Sequence, residues 1–130
     1  MTIFVDTGYF VALLAPRDQW HKIAVNALRP GLRLTTSSLV VNETISLLQA
    51  RGRLSAALEF LQRLRSDPDM QIVHVDARIQ SDAWDLFYKW GGAGANAVDC
   101  ASFAIMRIMS IKKAFTFDRH FRTAGFEILH

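Results

Sequence analysis

The sequence predicts an α/β fold, with a mainly parallel central sheet covered by helices on both faces. Three observations carry this. Short apolar, β-favouring runs alternate with longer segments of helical spacing. Gly, Pro, Asn and Asp punctuate the boundaries between them. A chain of 130 residues, 51% of them hydrophobic, can bury one sizeable core but not two, so residues 1–130 are expected to form one domain.

Ile3-Phe4-Val5 reads as a buried strand that stops at Asp6-Thr7-Gly8, leaving Asp6 at a strand's carboxyl end. Tyr9 to Leu14 resumes as helix before Pro16, and His21 to Leu28 is a second helix ended by Pro30-Gly31. Leu32 to Thr36 is a short strand. Ser37 or Ser38 caps a helix from Leu39 to about Arg51, with Val40, Glu43, Thr44 and Leu47 on or near one face. Gly52 ends it. Leu54, Ala57, Leu58, Leu61 and Leu64 give an amphipathic helix running to Ser66, so the two helices form a hairpin. Met70 to Val75 is strand-like, and Ala77 to Trp90 is a helix with Ile79, Ala83, Leu86 and Phe87 inward. Gly91-Gly92-Ala93-Gly94 closes it as a flexible connection. Asn96 caps an apolar helix from Ala97 to Met109, Lys113 to Thr116 is a strand, and Phe117 to His120 a loop. A helical turn to Gly125 and a strand from Phe126 to Leu129 finish the chain. Strands separated by helices in this order favour a parallel sheet, whose sites gather beyond the carboxyl ends of the strands.

Several classes are excluded or disfavoured. The longest apolar stretches, such as Tyr9 to Ala15, are far shorter than the roughly 18 to 20 residues of a membrane span. The opening Met1-Thr2-Ile3-Phe4-Val5-Asp6 lacks the layout of a secretory signal. Cys100 is the only cysteine, so no intrachain disulfide or thiol-rich metal site can form, and a reducing, cytoplasmic setting is expected. Cys100 itself, beside Ala101, reads as a small buried hydrophobe. Fifteen Lys and Arg face twelve Asp and Glu. If four acids are gathered into one site, the remaining surface is distinctly basic, which suits a polyanion while reserving the site for cations.

Those four are Asp6, Glu43, Asp99 and Asp118. Asp6 and Asp118 follow predicted strands, Asp99 enters in a helix's first turn, and Glu43 comes from the second turn of another helix. Four carboxylates in one crevice repel one another unless protons or a divalent cation compensate them. Mg²⁺ and Mn²⁺ prefer carboxylate oxygens, retain waters, and can turn one such water on a phosphodiester. Each acid taken alone also has a structural explanation. Asp6 and Asp99 could serve helix N-termini, and Asp118 could be a turn aspartate. Glu43 lies in a helix with no basic residue between Ser37 and Ala50 and has no local ion partner.

Val5-Asp6-Thr7-Gly8, Val41-Asn42-Glu43-Thr44, Ala97-Val98-Asp99-Cys100 and Thr116-Phe117-Asp118-Arg119-His120-Phe121, in this order, resemble the PIN-domain family, particularly its VapC-type toxins. The resemblance covers essentially the whole chain and implies a PIN-like three-layer α/β/α fold. It implies a Mg²⁺- or Mn²⁺-dependent endoribonuclease in which Asp6, Glu43 and Asp99 match the three main acids and Asp118 the fourth. It also implies a small VapB-type antitoxin laying an apolar segment near the helical hairpin, and a homodimer. Thr7 matches a small polar position whose hydroxyl supports the first acid. The chain departs from the family at the approach to Asp99, where Asn96 replaces the usual hydroxyl residue and Gly91-Gly92-Ala93-Gly94-Ala95 an acidic or polar stretch.

That departure motivates a second reading, a PIN-like RNA- or protein-binding module without cleavage; a third is a nuclease acting on DNA or on a particular nucleic-acid structure. Arg119 and Arg122 could hold RNA phosphates, and His120 could contact a phosphate or move a proton; surface solvation and a structural hydrogen bond are the competing readings. Arg51, Arg53, Arg63 and Arg65 around the hairpin could guide RNA or meet an acidic partner. The glycine run lacks the Lys and Ser or Thr of a phosphate-binding P-loop. The tryptophans are expected mostly in core or interface.

Overall fold

A computed structural model describes all 130 residues. Five strands, β1 (Thr2–Val5), β2 (Arg33–Ser37), β3 (Met70–Val73), β4 (Lys113–Phe115) and β5 (Glu127–Leu129), form one sheet in the order β3-β2-β1-β4-β5. Every neighbouring pair is parallel, with Ile3 beside Leu34, Val5 beside Phe115 and Phe115 beside Leu129. The helices are α1 (Thr7–Leu14), α2 (His21–Ala27), α3 (Ser38–Ala50), α4 (Leu54–Ser66), α5 (Ala77–Trp90), α6 (Ala97–Ile108) and α7 (His120–Thr123).

The strand order explains the layers. From β1 the chain steps outward to β2 and then β3, crosses back to β4 on the other side of β1, and ends at β5. Right-handed crossovers put helices on opposite faces when the direction of stepping reverses. The packing follows: α1 lies against α2 and α3, and α3 against α4, while α5 packs on α6 and α6 on α7. The reversal falls between β1 and β4. Their carboxyl ends are therefore the two walls of a switch-point crevice, where ligands gather in open α/β sheets.

Twenty-four buried residues make up the core, from Ile3, Phe4 and Val5 on the central strand to Phe103, Ile105 and Met106 on α6. In α6, residues 99 to 106 are all buried. It is the apolar-all-round helix of a middle layer, held between the sheet and α5. Ser37 rather than Ser38 caps α3, accepting from the Val40 N–H at 3.1 Å. No helix is long and apolar enough to cross a membrane.

Two helices are turned differently from expectation. In α4 the buried line is Ala57, Phe60 and Leu64, and Phe10 of α1 meets Phe60 edge-on at 4.9 Å. Leu54 and Leu58 face outward at 51% and 60% exposure. In α5 the inward line is Ile79, Ala83, Leu86 and Trp90, leaving Phe87 half-exposed on its flank and Trp84 outside. An alternating choice among several equally apolar positions is decided by the partner helix, which local spacing does not specify.

Candidate active site

Asp6 leaves β1 at the switch point. Its N–H donates to the Phe115 carbonyl at 3.1 Å, extending the β1–β4 ladder by one residue. Thr36 secures the same strand end by donating its hydroxyl to the Val5 carbonyl at 2.8 Å. Asp6 occupies the N-cap position of α1, yet its side chain accepts no capping hydrogen bond. It accepts instead from the Thr116 hydroxyl, Oγ1 to Oδ2 at 2.9 Å. Only 6% of Asp6 is exposed. Burial, reinforced by the charges of Asp99 and Asp118, raises its pKa from 3.8 to about 7 against the opposing hydrogen bonds from Thr116 and Thr7.

Asp99 arrives from the other layer. Asn96 and Asp99 form a reciprocal capping box: Asn96 Oδ1 accepts from the Asp99 N–H at 2.8 Å, and Asp99 Oδ2 accepts from the Asn96 N–H at 2.9 Å. The helix-capping role expected of Asp99 is thus real, but it uses only one carboxylate oxygen. Burial raises the Asp99 pKa to about 6, with Asp118 and Glu43 adding to the effect and the Asn96 N–H and His120 opposing it. The nearby Cys100 thiol is fully buried, and that burial pushes its pKa up.

Asp118 follows β4 by way of Thr116, whose hydroxyl accepts from the Asp118 N–H at 3.0 Å while donating to Asp6. One threonine therefore joins the first and fourth acids. Ligand atoms of Asp99, Asp118 and His120 all lie within 4.8 Å of one another. Glu43 lies on α3, is half-buried, and is close enough to act electrostatically on Asp99 but is outside that group. The structure thus gathers Asp99, Asp118 and His120 most tightly, with Asp6 joined to Asp118 through Thr116 and acting electrostatically with Asp99, and Glu43 acting on Asp99 from α3.

Two expectations change. The hydroxyl of Thr7, expected to support Asp6, is buried without a partner; Thr7 acts on Asp6 through its backbone, and Thr116 supplies the hydroxyl. Gly91-Gly92-Ala93-Gly94 is a wound 3₁₀ turn rather than a loose connection, with the Gly94 N–H donating to the Gly91 carbonyl at 3.0 Å. Arg119 and Arg122 are exposed and make no ion pair. The role of Thr116 was missed from sequence, although a threonine two residues before an aspartate at a strand exit is a signature of a side-chain-stabilised turn.

The donor set fits a hard divalent cation. No Lys or Arg pairs with Asp6, Glu43, Asp99 or Asp118, and the only ion-pair partner among them is His120. Oxygen ligands, uncompensated buried carboxylates and an unpartnered buried hydroxyl next to Asp6 are what such a cation satisfies. Thr116→Val, which keeps shape and removes both hydrogen bonds, is expected to cost about 1–3 kcal/mol in chemical denaturation. It is also expected to weaken Mn²⁺ binding by about 10-fold in calorimetry, as loss of a ligand's support does.

Residues 3–127 match the PIN domain family. The chain belongs to the PIN-domain family. Curated relatives include the 23S rRNA-specific endonuclease VapC20 of Mycobacterium tuberculosis, in strains CDC 1551/Oshkosh and H37Rv. Each is 34% identical over 126 residues, covering 95% of this chain and 95% of the relative. The crystal structure of M. tuberculosis VapC20, described as a sarcin–ricin loop cleaving toxin, superposes with a TM-score of 0.88 at 32% identity over 98% of this chain and 99% of that one. This PIN domain thus falls among the VapC-type proteins, ribonuclease toxins of toxin–antitoxin pairs. The PIN fold also matches FitAcB from Neisseria gonorrhoeae, with a TM-score of 0.70 at 17% identity over 100% of this chain and 97% of that one. VapBC2 from Rickettsia felis, bound to a promoter DNA fragment, matches at 0.71 and 13% over 98% and 97%. At those identities the likeness is one of fold.

Proposed function

We propose that this protein is a Mg²⁺- or Mn²⁺-dependent endoribonuclease that hydrolyses a phosphodiester in a structured RNA loop, and the toxin of a VapBC-type pair. The observation that carries this reading is the pair of buried, uncompensated carboxylates, Asp6 and Asp99, facing one crevice at the switch point. Asp6, Asp99, Glu43 and Asp118 hold the cation. When bound, it offsets the charge developing on the phosphate and makes a water nucleophilic near neutral pH.

The chain's own residues set up that chemistry. Asn96 fixes one Asp99 oxygen and leaves the other for the crevice. Thr116 keeps Asp6 and Asp118 in register. Arg119 and Arg122, exposed and unpaired beside the crevice, take RNA phosphates on either side of the cut. The glycine-rich approach that motivated a non-cleaving module leaves Asp99 in a complete capping box, which favours the cleaving reading.

An antitoxin's apolar segment has a suitable seat. A cavity of about 250 Å³ between α1, α4 and the sheet is lined by Phe10, Leu13, Leu14, Phe60, Leu64 and Met70 among others, and Leu54 and Leu58 stand exposed on α4. The activity named for VapC20 directs the first substrate choice to a sarcin–ricin-type stem-loop. Antitoxin-free protein is expected to cut such an RNA at one position, while leaving a DNA of the same sequence intact. Equal cutting of both would replace the ribonuclease with a general nuclease, and binding without cutting would replace it with a module.

A further inference from the structure

His120 sits beside Asp99 and Asp118, where a histidine invites assignment as a ligand or a proton carrier. Both of its ring nitrogens lie against protein oxygens. Nε2 lies 3.0 Å from the Ala93 carbonyl, which can only accept, so Nε2 carries a proton. Nδ1 lies 2.6 Å from Asp118 Oδ1 as an ion-pair contact, although not aligned for a hydrogen bond. The His120 backbone N–H donates to the same Oδ1 at 2.9 Å. Asp118 is therefore gripped through one oxygen, and its Oδ2 accepts nothing from the protein.

Gly94 explains how the ring is seated. Four glycines have positive φ: Gly31, Gly52, Gly94 and Gly125. A Cβ at Gly31, Gly52 or Gly125 would meet nothing within 4 Å, but at Gly94, with φ +103°, it would lie 2.8 Å from His120 Nε2. Of the four, only Gly94 makes room for a particular group by lacking a side chain; in the same turn a Cβ at Gly91 would press on the Phe87 ring at 3.2 Å. Swinging the ring away would forfeit the hydrogen bond from Nε2 to the Ala93 carbonyl and the close approach of Nδ1 to Asp118. Ala93 and Gly94 also lead directly into Asn96, the residue that caps α6 and binds Asp99. The contact thus ties the wall carrying Asp99 to the wall carrying Asp118.

We propose that the Gly91–Gly94 turn and the His120 ring form a latch that positions Asp118 against Asp99, making His120 a positioning residue rather than a metal ligand or an RNA contact. The proposal rests on the reading of Asp118 as one of the cation-holding acids and deepens it.

The test compares wild type, Gly94→Ala, His120→Ala and the double variant. Mn²⁺ affinity is read by calorimetry, and exchange of the His120 amide is read by NMR without metal. Each single change is expected to weaken Mn²⁺ binding by about 10-fold, the lower end of what loss of a ligand's support produces. The double variant is expected to lose less than the two single losses combined, because a Cβ at position 94 then meets no ring and only the strain of φ +103° remains. The His120 amide is expected to exchange faster in Gly94→Ala, and RNA turnover to fall in kcat with KM unchanged. His120→Ala introduces no backbone strain and so carries the test if Gly94→Ala folds poorly. Mn²⁺ affinity within twofold of wild type in both singles, or additive losses in the double, overturns the latch. So does a KM rise confined to His120→Ala, which marks an RNA contact, or loss of all Mn²⁺ binding in that variant alone, which marks a ligand. Wild type without Mn²⁺ affinity defeats the nuclease reading instead, and the amide exchange then decides the latch on its own.

Discussion

Asp99→Asn is expected to lower RNA cleavage by on the order of 10³-fold, the scale on which preorganised electrostatic groups act. The same substitution is expected to make the metal-free protein more stable at pH 8. The two effects have one cause. Asp99 is buried near Asp118 and Glu43, and burial with these like charges holds its pKa near 6, so its ionised form at pH 8 is a cost to the fold. Asparagine removes the charge and keeps an oxygen for the Asn96 N–H, so the capping box survives. A melting temperature roughly 5 °C higher follows from a gain of about 1–2 kcal/mol. Asp6→Asn is expected to behave alike, because its amide oxygen can still accept from Thr116. A functional site that strains its scaffold shows this opposition between activity and stability. If Asp99→Asn loses activity and stability together, the acid is structural.

Metal-free protein is expected to lose stability as pH rises from about 4 to about 7, and a divalent cation to reverse that trend. Asp6 is raised to about 7 and Asp99 to about 6, whereas both sit near 3.8 when unfolded. Below 3.8 each is protonated in both states, and the stability associated with the raised values is fully present. Through the window between 3.8 and 7 the folded protein holds protons that the unfolded chain has released, so rising pH favours unfolding until Asp6 too is ionised. The loss is on the order of a few kcal/mol. A cation competes with those protons and binds the folded state, so the Mn²⁺-induced rise in melting temperature should be larger at pH 8 than at pH 5. Thermal melts in chelator and in millimolar Mn²⁺ across that range check both halves. A chelated protein that gains stability from pH 4 to pH 7 contradicts the buried, unpaired state of these acids.

The order of strands and helices was legible because Ile3-Phe4-Val5 and similar runs are bounded by sharp turn signals, and the parallel sheet follows from their alternation with helices. The convergence of Asp6 and Asp118 was legible for the same reason, since both follow strands that end at the switch point. What escaped depended on side chains meeting across long sequence separations. Thr116 acts on a residue 110 positions away, and His120 reaches a carbonyl 27 positions away. The glycine run looked like a loose connection because composition reports conformational freedom, whereas the geometry shows a turn whose bareness seats a ring. The outward Leu54, Leu58 and Phe87 were misjudged because an apolar residue records a preference for burial without naming the surface that satisfies it.

Cleavage of a sarcin–ricin-type RNA by antitoxin-free wild type, assayed in Mn²⁺, in Mg²⁺ and in chelator with Asp99→Asn alongside, tests the central claim most directly. Cutting that needs the cation and disappears in the variant is the expected result. Cutting that persists in chelator, or that Asp99→Asn retains, contradicts the assignment of this crevice as a metal-dependent ribonuclease site.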